Sequence, residues 1–166
     1  TAAFFAGGES PDTAANEIWD GSSWTESADL NTARSSMGRG GTTTAGIVMA
    51  GQPGNKSITE IWDGSSWTEV GDMNTARRGV SGDGGSNTAI VSGGNIPPRS
   101  ALTEFWNGSS WTEVADLSTA RSANASGNST NGFVTSFAAG GSTTTAATNL
   151  TEEWTVNLTN KTITSS

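Results

Sequence analysis

Glu60-Ile61-Trp62-Asp63-Gly64-Ser65-Ser66-Trp67-Thr68-Glu69 is the stretch that decides the fold, because it does not occur once. Glu17-Ile18-Trp19-Asp20-Gly21-Ser22-Ser23-Trp24-Thr25-Glu26 precedes it, and Glu104-Phe105-Trp106-Asn107-Gly108-Ser109-Ser110-Trp111-Thr112-Glu113 follows it. A shortened copy is Thr151-Glu152-Glu153-Trp154-Thr155. The first Trp of the four copies stands at 19, 62, 106 and 154, so the steps are 43, 44 and 48 residues. Two further landmarks keep the same beat. Thr-Ala-Arg recurs at 32–34, 75–77 and 119–121, and an apolar run ending in small residues recurs at 3–8, 47–51, 89–94 and 133–141.

A period of 40 to 50 residues is that of one β-propeller blade, and the local signals within a unit are those of strands. In the second unit, Thr59 to Trp62 and Trp67 to Val70 are aromatic and β-branched runs either side of Asp63-Gly64-Ser65-Ser66. Asp-Gly or Asn-Gly between two such runs is a hairpin signal, since both residues tolerate positive φ. Thr44 to Gly51 reads as an apolar strand and Ala33 to Gly41 as a small-residue strand, which makes each unit a four-stranded meander. Gly and β-branched residues interrupt every stretch long enough for an amphipathic helix.

The order of these landmarks resembles the kelch repeat: an apolar strand ending in Gly-Gly, a variable loop, an acidic residue before an aromatic, a short turn, a Trp, then an Arg opening the next unit. Those positions are Gly7-Gly8, Glu17, Trp19, Trp24 and Arg34 in the first unit, and Gly51-Gln52, Glu60, Trp62, Trp67 and Arg77 in the second. The third reads Gly93-Gly94, Glu104, Trp106, Trp111 and Arg121, and the fourth Gly140-Gly141, Glu152 and Trp154. Two departures stand out: Trp replaces the usual Tyr before the hairpin, and the turn is one residue tight. The Thr-, Ser- and Asn-rich style is also similar to kelch-like repeat proteins encoded by marine bacteriophages. The resemblance implies an all-β, kelch-like β-propeller domain of about four blades: a partial one at 1–32, then 33–75, 76–119 and 120–166. The first lacks its innermost strand, so four Glu face three Arg. The expectation is a C-terminal part of a longer polypeptide, or a sheet completed by another chain. Asn157 to Ser166 reads as a terminal cap, with Lys161 to Thr164 as an edge strand in place of the Trp strand.

Composition narrows the function. Seven Trp with only 14% charged residues oppose disorder in a Gly-rich chain. The Trp pairs are expected in the core, and the recurring Glu and Arg as ion pairs within or between blades, because a charge on a packed sheet face needs a partner. A net charge of −8 without clustered Lys or Arg points away from nucleic acid. No apolar stretch is long enough to cross a bilayer, so no membrane insertion is expected, and the first residues lack a signal-peptide pattern. With no His and no Cys, the chain lacks the common proton shuttle, zinc ligands and thiol nucleophile, and no Ser stands in a GxSxG setting. No enzyme activity, cofactor or metal is expected. Asp83-Gly84-Gly85-Ser86-Asn87 offers oxygen ligands, but its spacing suits a turn better than a calcium loop.

Function is then sought where the copies differ. The candidate binding residues are Arg39, Arg78 and Asp83, with Arg99 in a variable loop; Asn124, Lys56, Pro97 and Pro98 are weaker candidates. The reading is a non-enzymatic structural or adhesion module, a phage virion or tail-fibre component at a virion surface or outside the cell. Its partners are other virion proteins or copies of itself, and a host surface glycan as ligand. A secreted bacterial carbohydrate-binding adhesin or lectin is the alternative, and a glycoside hydrolase or lyase ranks behind both.

Overall fold

The structure, a computed structural model, describes residues 2–122, 125–128, 135–157 and 160–165, with the backbone alone described at 125–128, 135, 137, 154–157 and 160–165. It is all-β, with no helix among the described residues. β1 (Ala3–Gly8), β2 (Thr13–Trp19) and β3 (Trp24–Ser27) form a three-stranded antiparallel sheet. Three four-stranded sheets follow in chain order. The second holds β4 (Gly38–Thr42), β5 (Ala45–Met49), β6 (Thr59–Trp62) and β7 (Trp67–Val70). The third holds β8 (Ser81–Gly84), β9 (Ala89–Ser92), β10 (Thr103–Trp106) and β11 (Trp111–Val114). The fourth holds β12 (Ala125–Asn128), β13 (Thr135–Ala139), β14 (Thr151–Asn157) and β15 (Asn160–Ser165). Each is a meander in which every strand pairs with its chain neighbours, as the repeated hairpin signals require.

The sheets lie against one another in sequence order, and the core is the apolar filling between them. Ala6, Leu30, Met37, Val48, Trp62 and Trp67 form the cluster between the first and second sheets, with Phe4 and Ile18 packed on it. Ile47, Met49, Met73, Val80, Val91, Trp106 and Trp111 form the cluster between the second and third. Alternation along a strand explains the division: Ile47 and Val48 are adjacent on β5, so they face opposite sheets. Within each hairpin the Trp pair sits directly across the ladder, Trp62 opposite Trp67 and Trp106 opposite Trp111. Their tilted rings stand 5.2 and 5.5 Å apart. The indole N–H of Trp62 donates to the Thr43 carbonyl and that of Trp106 to the Ser86 carbonyl, both at 2.9 Å, so burial leaves neither donor unpaired.

Of the two turn residues that tolerate positive φ, one uses it. Only the Gly adopts it, with φ of 101° at Gly64, while Asp63 instead bends the chain with its side chain. Asp63 Oδ1 accepts from the backbone N–H of Ser65 and Ser66 at 2.8 Å and from the Ser65 hydroxyl, an Asx turn. Asp20 makes the same bonds to Ser22 and Ser23. The N–H groups favour the ionised form, and both carboxyls are lowered to about 2. A carboxyl lowered on folding stabilises the fold above its unfolded value near 4, and that contribution disappears as the pH falls toward 2. Asn107 holds Ser109 and Ser110 through the same geometry without a charge. Asp63→Asn is therefore expected to fold normally and to flatten the pH dependence of stability between pH 4 and 2. Carboxyl-carbon NMR titration, which should place the Asp63 midpoint near 2, checks the cause.

Candidate functional site

The three repeated Arg and three of the four repeated Glu are used up inside the fold. Arg34 Nη2 lies 3.1 Å from Glu60 Oε1, Arg77 Nη2 lies 3.0 Å from Glu104 Oε1, and Arg121 Nη1 lies 3.0 Å from Glu152 Oε1. All six side chains are buried. Each Arg stitches two sheets. The Arg77 N–H donates to the Lys56 carbonyl and its own carbonyl accepts from Gly51, both in the second unit. Its guanidinium reaches into the third unit, where it donates to the carbonyls of Leu102 at 2.6 Å and Gly93 at 3.2 Å as well as to Glu104. Burial pulls the Arg77 guanidinium below the ordinary arginine value, and the facing Glu104 carboxylate opposes that pull.

Sequence reasoning found the Glu and Arg but missed the residue that completes the network. Asn74 donates its backbone N–H at 2.7 Å and its side-chain amide at 2.9 Å to Glu104 Oε2, and the Thr75 N–H donates to Oε1 at 3.3 Å. Asn31 and Thr32 treat Glu60 in the same way. Ser118 donates its N–H to Glu152 Oε2. The signal was present as Asn-Thr-Ala-Arg at 31–34 and 74–77 and Ser-Thr-Ala-Arg at 118–121.

The expectation that every Trp pair is core holds for the second and third units and needs correction for the first. Trp24 is 51% exposed, against 6% for Trp67 and 7% for Trp111 at the same repeat position. Glu17 is likewise exposed. The difference lies in the neighbour: Phe4 of the first sheet packs edge-on against Trp67, and Trp111 donates its N–H to Thr59 Oγ1 of the second, whereas no described sheet covers Trp24. The side chain of Trp154 and all of Asn124 lie outside the described residues.

The four candidate binding residues fall in two places. Arg39 on β4 and Asp83 on β8 share a cleft of about 280 Å³ with Met37, Val80 and Ser81. The Arg39 guanidinium carbon sits 4.8 Å above the centre of the Phe5 ring, a cation–π contact. Asp83 Oδ1 accepts from the Gly84 N–H at 2.8 Å, while the Ser81 hydroxyl is buried with no partner among the described residues. Burial pushes the Asp83 carboxyl above the ordinary carboxylate range, against bonds from Gly84 and Ser136. Arg78 and Arg99 stand together elsewhere, at the Gly93-Gly94 end of the third unit, where Asn95 bridges to both. Arg99 donates to the Ser122 hydroxyl, and more weakly to that of Ser142 at 3.4 Å. In the neighbouring loops Lys56 is half-buried and Pro97 and Pro98 are exposed. The turn after Asp83 closes through Gly85 N–H donating to the Thr88 carbonyl at 2.7 Å, and no metal-ligand cluster occurs among the described residues.

Glycine sets the width of this cleft. A Cβ on Gly82 would stand 2.7 Å from Gly38 Cα and 3.0 Å from Arg39 N, both backbone atoms that cannot swing away. Gly82→Ala is expected to force β4 and β8 apart at a cost of about 1–3 kcal/mol. Thermal denaturation checks it, and an unchanged midpoint would mean that the two strands are not in close contact in solution.

No protein-family model matches the chain, and no curated protein matches it either. Solved structures do match, 144 chains in all. YjhT superposes with a TM-score of 0.77 at 15% sequence identity, covering 91% of this chain and 52% of YjhT. The chain therefore spans about half the length of YjhT, and the likeness is one of strand-rich fold.

Proposed function

We propose that the four sheets are blades of a kelch-like β-propeller and that the chain is a non-enzymatic structural and adhesion module, of the kind a phage carries on its virion or tail fibre. The period of the repeat, the face-to-face order of the sheets and the YjhT likeness support the architecture. The observation that carries the function is the cleft between β4 and β8. Arg34, Arg77 and Arg121 are sealed against Glu60, Glu104 and Glu152, whereas the unit-specific Arg39 and Asp83 share one concave site with a Ser81 hydroxyl that is buried without a partner among the described residues. A buried acceptor beside a hydroxyl and a guanidinium suits a hydroxyl-rich ligand, and a host surface glycan fits that chemistry. The exposed aromatics that would favour a lectin rim, Phe5 and Trp24, occupy repeat positions that are packing positions in the other units.

The test is binding of the labelled chain to an array of bacterial surface glycans, with product analysis alongside. Retention of unmodified glycan is expected, reduced at least about tenfold by Asp83→Ala, the loss associated with one buried hydrogen-bonded group. Cleavage of the glycan, or binding indifferent to Asp83, would overturn the reading.

A further inference from the structure

The position after each repeated Arg changes its chemistry from unit to unit: Ser35 pairs with Gln52, Arg78 with Asn95 and Ser122 with Ser142, each through one antiparallel bridge. Around Ser35, donors meet carboxylates. The Ser35 hydroxyl donates to Asp12 Oδ1, the Ser36 hydroxyl to Glu9 Oε1 at 2.7 Å, and the Gln52 amide to Glu9 Oε1 at 3.3 Å and to the Ser35 oxygen at 3.1 Å. One unit on, the balance is lost. Asn95 is bridged to Arg78 on one side and to Arg99 on the other. Residues directly opposite in an antiparallel pair project to the same face, with Cβ atoms about 5 Å apart. Arg78, Asn95 and Arg99 therefore form one row, an amide flanked by two cations. Both Arg are half-buried. Arg99 donates to the hydroxyls of Ser122 and Ser142, and the Arg78 side chain has no hydrogen bond or ion pair among the described residues. Neither has a carboxylate within salt-bridge distance among those residues.

The chain carries a net charge of −8, yet here two cations stand side by side with donors to spare. Two like charges on this row, whose outer Cβ atoms lie about 10 Å apart, repel one another, and an anion between them turns the repulsion into attraction to both. The planar fork of a guanidinium matches the paired oxygens of a carboxylate or a phosphate. The Asn95 amide adds a neutral donor between the two forks, and the Ser122 and Ser142 hydroxyls steady Arg99 from behind. Pro97 and Pro98, between Asn95 and Arg99, restrict the backbone of the loop, so the row is set before a ligand arrives. We propose that Arg78, Asn95 and Arg99 form an oxyanion site that holds one carboxylate or phosphate group between two guanidiniums. The glycan reading concerns the cleft of Arg39 and Asp83, and neither proposal depends on the other.

The test is titration of the nitrogen-15-labelled chain with sodium phosphate and, separately, with sodium acetate, each read against sodium chloride of equal ionic strength. Saturable shifts of the Arg78 and Arg99 Nε–Hε signals and of the Asn95 side-chain amide are expected. The salt that binds more tightly tells a phosphate site from a carboxylate site. Arg78→Gln and Arg99→Gln should each weaken that binding at least about tenfold, the loss of one charge-assisted hydrogen-bonding group. Because the Arg78 side chain has no partner among the described residues, Arg78→Gln should leave the melting midpoint without added anion within about 2 °C, which separates lost binding from lost folding. Shifts no larger than those in chloride, or binding untouched by Arg78→Gln, overturn the proposal. So does a dimer that Arg78→Gln dissociates, since the row would then be matched by carboxylates of a second copy.

Discussion

Replacing Arg77 with methionine is expected to destabilise the protein by about 3–5 kcal/mol, the cost of leaving one member of a buried ion pair unpartnered. Methionine fills much of the stem volume, so the loss is chiefly electrostatic rather than a cavity. Glu104 keeps its donors from Asn74 and Thr75 but loses the only cation within salt-bridge distance among the described residues, and the Gly93 and Leu102 carbonyls lose a donor. Because the Arg77 backbone belongs to the second unit and its side chain to the third, the damage falls at the seam between them. Arg77→Lys keeps the charge but not the fork that serves Glu104 and two carbonyls together, and it should fall between wild type and methionine. The double variant Arg77→Met, Glu104→Leu should regain part of the loss, since exchanging a whole buried pair for apolar groups is far cheaper than breaking it. Urea denaturation of wild type, Arg77→Met, Glu104→Leu and the double variant forms a double-mutant cycle. A single-variant cost below about 1 kcal/mol would place this pair with solvent-exposed ones, whose worth is that small.

Which features of this network could be read in advance follows from how local their causes are. Thr59 to Trp62 and Trp67 to Val70 were placed to the residue, because a hairpin's aromatic alternation and its Asp-Gly turn are contiguous in sequence. The Glu and Arg pairing was legible from their shared period. The Arg-led strand was placed too early: β4 starts at Gly38, not Ala33, because residues 30–35 are spent crossing between sheets, with the Leu30 N–H on the Ala14 carbonyl and the Arg34 N–H on that of Thr13. Those partners lie on β2, distant along the chain, where no local propensity can find them. The role of Asn31 and Asn74 was hidden for the same reason, since each meets its Glu across 29 or 30 residues of chain. The separation of Arg39 and Asp83 from Arg78 and Arg99 depends on the direction of neighbouring side chains, which the repeat pattern leaves open.

Identical sequence blocks should therefore respond differently to the same substitution, and Trp111→Ala against Trp24→Ala is the sharpest case. Both residues sit in Gly-Ser-Ser-Trp-Thr-Glu, directly opposite another Trp. Trp111 is 7% exposed, packs in the cluster between the second and third sheets and donates its indole N–H to Thr59 Oγ1 at 2.9 Å. Its removal should cost about 3–5 kcal/mol, a buried aromatic truncated into a cavity. For a chain of this size that lowers the melting midpoint by roughly 10 °C. Trp24 loses only its tilted contact with Trp19 at 5.5 Å, and its truncation should cost less than about 1 kcal/mol. Equal losses at the two positions would mean that Trp24 is covered in solution by something beyond the first sheet. A small loss at Trp111 would mean instead that the second and third sheets do not pack as the indole bond to Thr59 requires. The expected inequality locates the stabilising free energy in the neighbouring sheet rather than in the repeated sequence, because a repeat unit of this kind has no core until the next one closes over it.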